Sequence, residues 1–298
     1  MINLAGLSSM DEAIKAISSD GFVLISAVST RELTERARAI HKSTPVVTAA
    51  LGRTLSATSI LGSEMKKKGA SLTVRINGGG PAGSIIAVSD DEGNVRGYVQ
   101  NPRAQAPRIE EGKLNVGAVV GNTGRLSVIK DFAEGEPYTG HSMLRSGEIA
   151  EDIAAYLAES EQIPTACGLG VLVGNDRSVL VAGGYVVQLL PGAPDEVISA
   201  VERNVEQTGA VTDVLASGGI EALLQSVMKG FSPKIIDRRT IEYRCSCSRD
   251  GVASAISGLV RSEIEDMRKK GEAIEVTCKY CDAAYTFSNK ELETLNPG

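Results

Sequence analysis

Histidine is almost missing from this sequence: 298 residues contain two, His41 and His141. So little imidazole leaves few ways to assemble a general base. His141 and Cys167 can be drawn as a base and a nucleophile, but nothing in the sequence brings them together. A lone cysteine such as Cys167, within Pro164-Thr165-Ala166-Cys167-Gly168, reads as a small buried apolar residue. Also missing is any apolar run as long as a membrane helix. The first apolar run, Phe22 to Val28, follows an acidic amphipathic segment and lacks the basic flank of a signal peptide. Nor is there a basic surplus. The net charge of −6 argues against a general nucleic-acid binder. These absences predict a cytoplasmic protein that is not an enzyme and that engages neither membrane nor nucleic acid.

What is present suffices for a core. Hydrophobic residues make up 42% and charged residues 23%, the balance of a globular protein with one large domain or two. Five cysteines are present, and four fall in two pairs near the end: Cys245-Ser246-Cys247 and, thirty residues on, Cys278-Lys279-Tyr280-Cys281. In the cytoplasm such clusters mean metal or redox sensing more often than structural disulfides. A C-x-C and a C-x-x-C brought together supply four thiolates, the donor set of a closed tetrahedral Zn²⁺ site. A closed site has no open position, so the metal reads as structural rather than hydrolytic. Two further readings stay open at this point. The C-x-C spacing closes only a small ring when oxidised, and strained disulfides are the labile ones, so the same sulfurs could serve as a redox switch. A thioredoxin-like dithiol at Cys278-x-x-Cys281 would need to open a helix after a strand. Here Glu275-Val276-Thr277 leads in and Ala284-Tyr285-Thr286-Phe287 leads out, which predicts the turn of a β-hairpin instead.

Taken in order, the chain predicts an α+β fold. Ser8-x-x-Asp11 reads as a capping-box start for a short helix to about Ile17. Phe22–Val28 reads as a strand, and Thr30 as the cap of a helix from Arg31 to about His41. Pro45 opens a long, largely buried helix to about Lys68, with the run Lys66-Lys67-Lys68 suiting its C-terminal dipole. Strands are expected at Leu72–Ile76, Ser84–Val88, Val95–Val99 and Leu126–Ile129. Ser146 reads as the cap of a helix to about Glu161, followed by strands Gly170–Val173 and Ser178–Leu190 around an Asn175-Asp176 turn. The predicted domains are residues 1–190, a large mixed sheet-and-helix core, then a helical linker over 191–240, and a small C-terminal zinc-binding domain over 241–298. The linker is broken at Gly218-Gly219. Its stripes Val197, Ile198, Val201, Val205 and Ile220, Leu223, Leu224, Val227, Met228 require a partner surface. From residue 245 onward the chain holds seven basic and nine acidic residues, a poor composition for gripping phosphate backbones. A segment this small, with Tyr280, Tyr285 and Phe287 as its aromatics, needs a metal or disulfides to fold.

Gly78-Gly79-Gly80-Pro81-Ala82-Gly83 satisfies G-x-G-x-x-G after a plausible strand. A dinucleotide site would require a helix next. Ser84-Ile85-Ile86-Ala87-Val88 reads as a strand, Pro81 removes a backbone donor, and no acid lies near twenty residues onward. A tight turn is the expected structure.

Together these residues resemble the redox-regulated molecular chaperones of the thirty-three-kilodalton heat-shock protein family. The resemblance rests on the four-cysteine signature with Tyr285-x-Phe287 behind it and Glu272-Ala273-Ile274-Glu275-Val276 before the second pair. Ala50-Leu51-Gly52-Arg53, the Gly78–Gly83 turn, Val95-Arg96-Gly97-Tyr98-Val99, Tyr138-x-Gly140, Ser146-Gly147-Glu148-Ile149-Ala150 and Ser160-Glu161-Gln162 also match it. It implies one Zn²⁺ per reduced chain on Cys245, Cys247, Cys278 and Cys281, in an inactive state. It implies disulfides Cys245–Cys247 and Cys278–Cys281 on oxidation, with zinc release and loss of structure in the zinc domain and neighbouring linker. The active form it implies is a homodimer that holds unfolding client proteins without ATP. Cys167 inherits no role. In Ser248-Arg249-Asp250-Gly251, Gly251 stands where relatives often carry a basic residue, which loosens the backbone there. The competing readings are a constitutive zinc-ribbon module for a fixed protein or nucleic-acid partner, and a nicotinamide-dependent oxidoreductase.

Overall fold

The computed structural model describes residues 10–107, 109, 113–259, 261–269 and 273–295. Its mixed sheets and helices form the expected α+β fold, and the chain divides into two compact units, residues 1–244 and 245–298.

The first unit is built on two five-stranded antiparallel sheets. One has strands β1 (Glu12–Ile17), β2 (Val23–Ser29), β8 (Thr165–Val173), β9 (Val179–Leu189) and β10 (Lys234–Thr240) in the order β10-β1-β2-β9-β8. The other has β3 (Ser71–Asn77), β4 (Ile85–Asp90), β5 (Val95–Val99), β6 (Arg125–Asp131) and β7 (Tyr138–Met143) in the order β5-β4-β3-β6-β7. Helix α2 (Pro45–Ser63) touches strands of both sheets and is buried on nearly every side. Its small residues and hydroxyls make that possible. Thr54, Ser56 and Thr58 donate to carbonyls four residues back, at Ala50, Gly52 and Thr54, so their polar atoms stay satisfied inside the helix.

Helix α1 (Arg31–His41) begins at Thr30, but its cap comes from elsewhere. The Asp11 carboxylate accepts the backbone N–H groups of Glu32 at 3.0 Å and Leu33 at 2.6 Å. Asp11 therefore caps α1 rather than a helix of its own. The segment expected to be a helix is strand β1, hydrogen-bonded on both sides, to β2 and β10; Ser8 lies outside the described residues. Helix α2 stops at Ser63, short of Lys68. Glu64 turns away to bond Lys15 and, at 2.7 Å, the Ser26 hydroxyl. The three lysines thus sit past the helix end and do not cap its dipole.

Helix α4 (Ala150–Glu159) starts at Ile149, not Ser146. Asp152 accepts from the backbone N–H groups of Arg145, Ser146 and Ile149. Helix α3 (Val116–Val120) and strand β7 lack strong periodicity and were not anticipated. The glycine turn is the predicted tight turn, followed by β4. Gly80 and Ala82 donate to the carbonyls of Val120 and Val119, both at 2.9 Å. A Cβ on Gly78 would come within 2.0 Å of the Gly121 carbonyl oxygen, so the glycines serve close backbone approach. With a strand after Gly83 there is no helix N-terminus for a pyrophosphate, and the dinucleotide reading falls.

Residues 191–240 are not helical throughout. Helix α5 (Asp195–Thr208) and helix α6 (Val211–Val227) carry the expected stripes, and α6 kinks at Gly219, whose φ is 69°. Residues 234–240 are instead strand β10 on the edge beside β1. The partner surface for the stripes is the first sheet. Val201, Ile220, Leu223, Leu224 and Val227 pack with Ile14, Val23, Ile25 and Tyr185 into one core. Beyond β10, Ile241 is buried, and Tyr243 donates from its hydroxyl to the Gly97 carbonyl at 2.9 Å. The chain is therefore anchored immediately before the first cysteine pair.

The second unit has helices α7 (Arg249–Ser257), α8 (Arg261–Lys269) and α9 (Asn289–Leu295) and a hairpin of β11 (Ala273–Thr277) and β12 (Ala284–Ser288). Its core is small: Ile256, Ile264, Phe287 and Leu292, with half-buried residues such as Leu259 and Val276 around them. Val260, Glu272 and the side chain of Met267 lie outside the described residues.

Candidate metal centre

Each cysteine is placed by a local element. Cys245 and Cys247 sit on the extended segment before α7, whose cap is Ser248; its hydroxyl accepts from the Gly251 N–H at 3.1 Å. Cys278 and Cys281 lie in the predicted hairpin turn. There the Cys278 N–H bonds the Ala283 carbonyl and the Asp282 N–H bonds the Cys278 carbonyl, both at 2.9 Å. Asp282 takes a left-handed conformation, φ 62°, that closes the turn.

The four sulfurs come together within 4.8 Å of one another. Across the pairs, Cys247 Sγ lies 3.3 Å from Cys281 Sγ and Cys245 Sγ lies 3.8 Å from Cys278 Sγ. Ligands at about 2.3 Å around a tetrahedral Zn²⁺ would sit ~3.8 Å apart, so the donor set fits such an ion. All four are free thiols.

Their environments differ. The Tyr285 hydroxyl, 3.1 Å from Cys247 Sγ, is the main cause that draws the Cys247 thiol down to about 7. Burial pushes Cys281 up to about 12 and raises Cys245. The bond to Cys247 pushes Tyr285 itself up to about 12. Arg249 ties the site to the small core. Its guanidinium stacks 4.4 Å from the Phe287 ring centroid, bonds the Thr286 carbonyl, and pairs with Glu291 at 2.8 Å. These contacts brace the start of α7, where Gly251 was expected to loosen it.

Comparison with known proteins decides the family. The Hsp33 protein family model matches residues 11–288. The chain belongs to the Hsp33 family. The 33 kDa chaperonin of Clostridioides difficile is 44% identical over 283 residues, covering 95% of this chain and 97% of the relative. That of Symbiobacterium thermophilum is 43% identical over 289 residues, with 97% and 98% covered. The crystal structure of the 33 kDa chaperonin of Thermotoga maritima superposes with a TM-score of 0.89 at 34% identity, covering 97% of this chain and 98% of that one. Hsp33 membership supports chaperone function, and the relatives' names describe a role that is not enzymatic.

The remaining candidates from the sequence do not converge. Cys167 lies on β8 in the first sheet, where burial pushes its thiol up to about 12. His141 is on β7 in the second sheet and bonds Ser127, not Cys167. His41 contacts the Gly97 carbonyl at 2.9 Å. The role of Tyr285 beside Cys247 was missed in the sequence. Its place in Tyr285-x-Phe287, four residues past Cys281, was the available signal: alternate residues on a strand face opposite ways, so Phe287 and Tyr285 share a side.

Proposed function

We propose that this Hsp33 protein is a redox-regulated, ATP-independent holdase. In the reduced state Cys245, Cys247, Cys278 and Cys281 bind one Zn²⁺ and the protein is inactive. The observation that carries the reading is the meeting of four free sulfurs from two pairs in a compact unit with a very small apolar core. When bound, Zn²⁺ supplies structural cross-linking, roughly 10–16 kcal/mol of apparent binding energy that is also folding energy. Four buried apolar side chains cannot replace it.

On oxidation each pair of zinc-binding thiolates gives up two electrons to one peroxide molecule, which takes two protons from solvent, so that one S–S bond and two waters form. The pairings are Cys245–Cys247 and Cys278–Cys281. Forming those bonds takes away the four thiolates that would hold Zn²⁺. That change supports loss of zinc and of local structure together.

Residues 241–298 then act as the switch domain, 191–240 as the responding linker and 1–190 as the stable core. The oxidised protein, as a homodimer, binds unfolding clients through newly exposed apolar surface. Ile235 and Ile236 on edge strand β10 are already 44% and 51% exposed, a short apolar edge that an extended chain can join. A cytoplasmic location suits thiols that must stay reduced at rest; among the described residues no helix is long and apolar enough to cross a membrane.

The test is zinc content and suppression of client aggregation on one sample before and after peroxide with mild warming, without ATP. Zinc loss with gained suppression is expected. Equal suppression in both states would leave a constitutive zinc-ribbon binder instead.

A further inference from the structure

The second sheet carries a cationic cleft on the face turned away from its core. Along β3 the residues Leu72, Val74 and Ile76 are buried while Arg75 and Asn77 are exposed. On β6, Leu126 and Val128 are buried and Arg125 is exposed; on β7, His141 is exposed between buried Gly140 and Ser142. The register aligns Arg75 with Ser127 and Ser127 with His141 in one row, and Asn77 with Arg125 in the next. Arg75 and Arg125 are thus diagonal neighbours across β3 and β6, positions roughly 7–8 Å apart and within reach of long side chains.

Arg53, Arg145, Arg238 and Arg244 each have a carboxylate partner. Among the described residues neither Arg75 nor Arg125 has an ion pair or hydrogen bond, and no carboxylate lines the cleft they share, in a chain of net charge −6. Other arginines, Arg36, Arg103 and Arg203 among them, also lack a carboxylate partner among the described residues, so what marks this pair is the cleft the two share. Like charges side by side are unfavourable unless an anion sits between them. The other groups are also donors. The Asn77 side-chain Oδ1 accepts the Gly79 N–H at 3.2 Å, which leaves its amide N–H₂ as a donor. His141 Nδ1 is 2.9 Å from the Ser127 hydroxyl. With Ser127 donating to Nδ1, the ring proton sits on Nε2 and can be donated. The cleft is open, about 530 Å³ in volume, and has no large apolar side chain in its wall. That size suits a small ligand, and the donor-rich, carbon-poor lining suits one of high charge density.

We propose that this cleft binds an oligophosphate, with Arg75 and Arg125 gripping phosphoryl oxygens and Asn77 and His141 completing the donor set. Arginine forks match phosphate geometry bidentately. The ligand chemistry is a run of linked phosphoryl groups, free or carried on a nucleoside. The site lies wholly in the first unit and is independent of the cysteines.

The experiment is calorimetric titration of the reduced full-length protein at low salt with sodium tripolyphosphate, a nucleoside triphosphate and a ten-base single-stranded oligonucleotide. One tripolyphosphate per chain is expected. Arg75→Gln and Arg125→Gln should each lower its affinity at least tenfold, while Arg145→Gln, at an exposed pair with Glu159, leaves it unchanged. Arg75→Lys keeps the charge and the strand but loses the fork, so several-fold weakening is expected there. Equal affinity for the nucleoside triphosphate assigns recognition to the phosphates alone; tighter binding extends the site to the nucleoside. The proposal is overturned if tripolyphosphate produces no binding, if the double glutamine variant binds as well as wild type, or if only the oligonucleotide binds.

Discussion

The hydroxyl of Tyr285 points at Cys247 Sγ from 3.1 Å, on the strand that leaves the turn holding Cys278 and Cys281. One sulfur of the first pair is therefore held by a residue of the hairpin that carries the second. A hydrogen bond from beyond the ligand shell orients a metal-binding sulfur and spreads its charge, and losing such a bond typically costs 10–100-fold in metal affinity. Tyr285→Phe should weaken zinc binding by about that factor while leaving the hairpin folded. Competition against a chromogenic chelator reads it out directly. Unchanged affinity would mean that Tyr285 merely lies beside the site.

Phe287, two residues on, is fully buried with Arg249 stacked on it. In a unit whose buried apolar core is so small, Phe287→Ala removes the largest member, at a cost of about 3–5 kcal/mol. The variant should release zinc at lower chelator concentration and show lost amide protection across 245–298 even when reduced. The first unit, with its separate core, should keep its thermal transition. A variant that retains full protection in 245–298 would place the stability of that unit in the metal alone.

How much of this was legible in the sequence depended on whether the signal was local. The hairpin turn at Cys278–Cys281 was readable because β-prone residues flank it on both sides, and the kink at Gly219 because glycine alone adopts that backbone cheaply. Asp11 was misread for the opposite reason. Its spacing from Ser8 imitates a capping box, yet its carboxylate serves the helix twenty residues on, a contact only the tertiary fold creates. Strand β10 was missed in the same way. Lys234-Ile235-Ile236-Asp237 follows two helices and has no alternation, and only pairing with β1 makes it a strand. The four sulfurs were readable as a set, whereas the contact of Tyr285 with Cys247 was not.

Asp11 leads to a prediction in pH. Burial outweighs its two amide bonds and raises its carboxyl from 3.8 to about 6. Between those values the folded chain holds a proton that the unfolded chain has released. The associated stability is present below pH 4 and is lost as pH rises through 6, in total roughly 3 kcal/mol. Asp11→Asn cannot ionise, so the difference in denaturation midpoint between variant and wild type should change across pH 4–6 and be constant above pH 7. Parallel curves throughout would show that Asp11 titrates normally.

The proposed client edge at Ile235 and Ile236 is open to direct test. Replacing both with serine on the exposed edge strand leaves the buried face of the first sheet untouched. Aggregation suppression by the oxidised protein should fall several-fold at equal concentration, with zinc binding in the reduced state unaffected. Suppression equal to wild type would move the client surface away from β10.

The last prediction concerns where the structure yields on oxidation. The extended segment before α7 and the hairpin turn meet at one shared cluster of sulfurs, so under the proposed switch the elements of residues 245–298 should lose protection together in hydrogen exchange. Residues 191–240 differ among themselves. Helices α5 and α6 are packed on the first sheet through Val201, Leu223 and Val227, and their interior amides should remain protected. Strand β10 is an edge strand with a register shift opposite Lys15 and Ala16, and exposed apolar side chains. It is joined to the cysteines by only a few anchored residues around Ile241 and Tyr243. Local opening begins where few buried contacts oppose it, so partial loss in the linker should centre on 234–240 and on α6 beyond the Gly219 kink. Central strands β2 and β9, paired on both sides, should change little. Complete protection of 245–298 after zinc loss would mean that the disulfides hold the unit by themselves. Loss confined to 245–298, with β10 unchanged, would uncouple the sulfur chemistry from the linker and leave the switch domain itself as the client-binding surface.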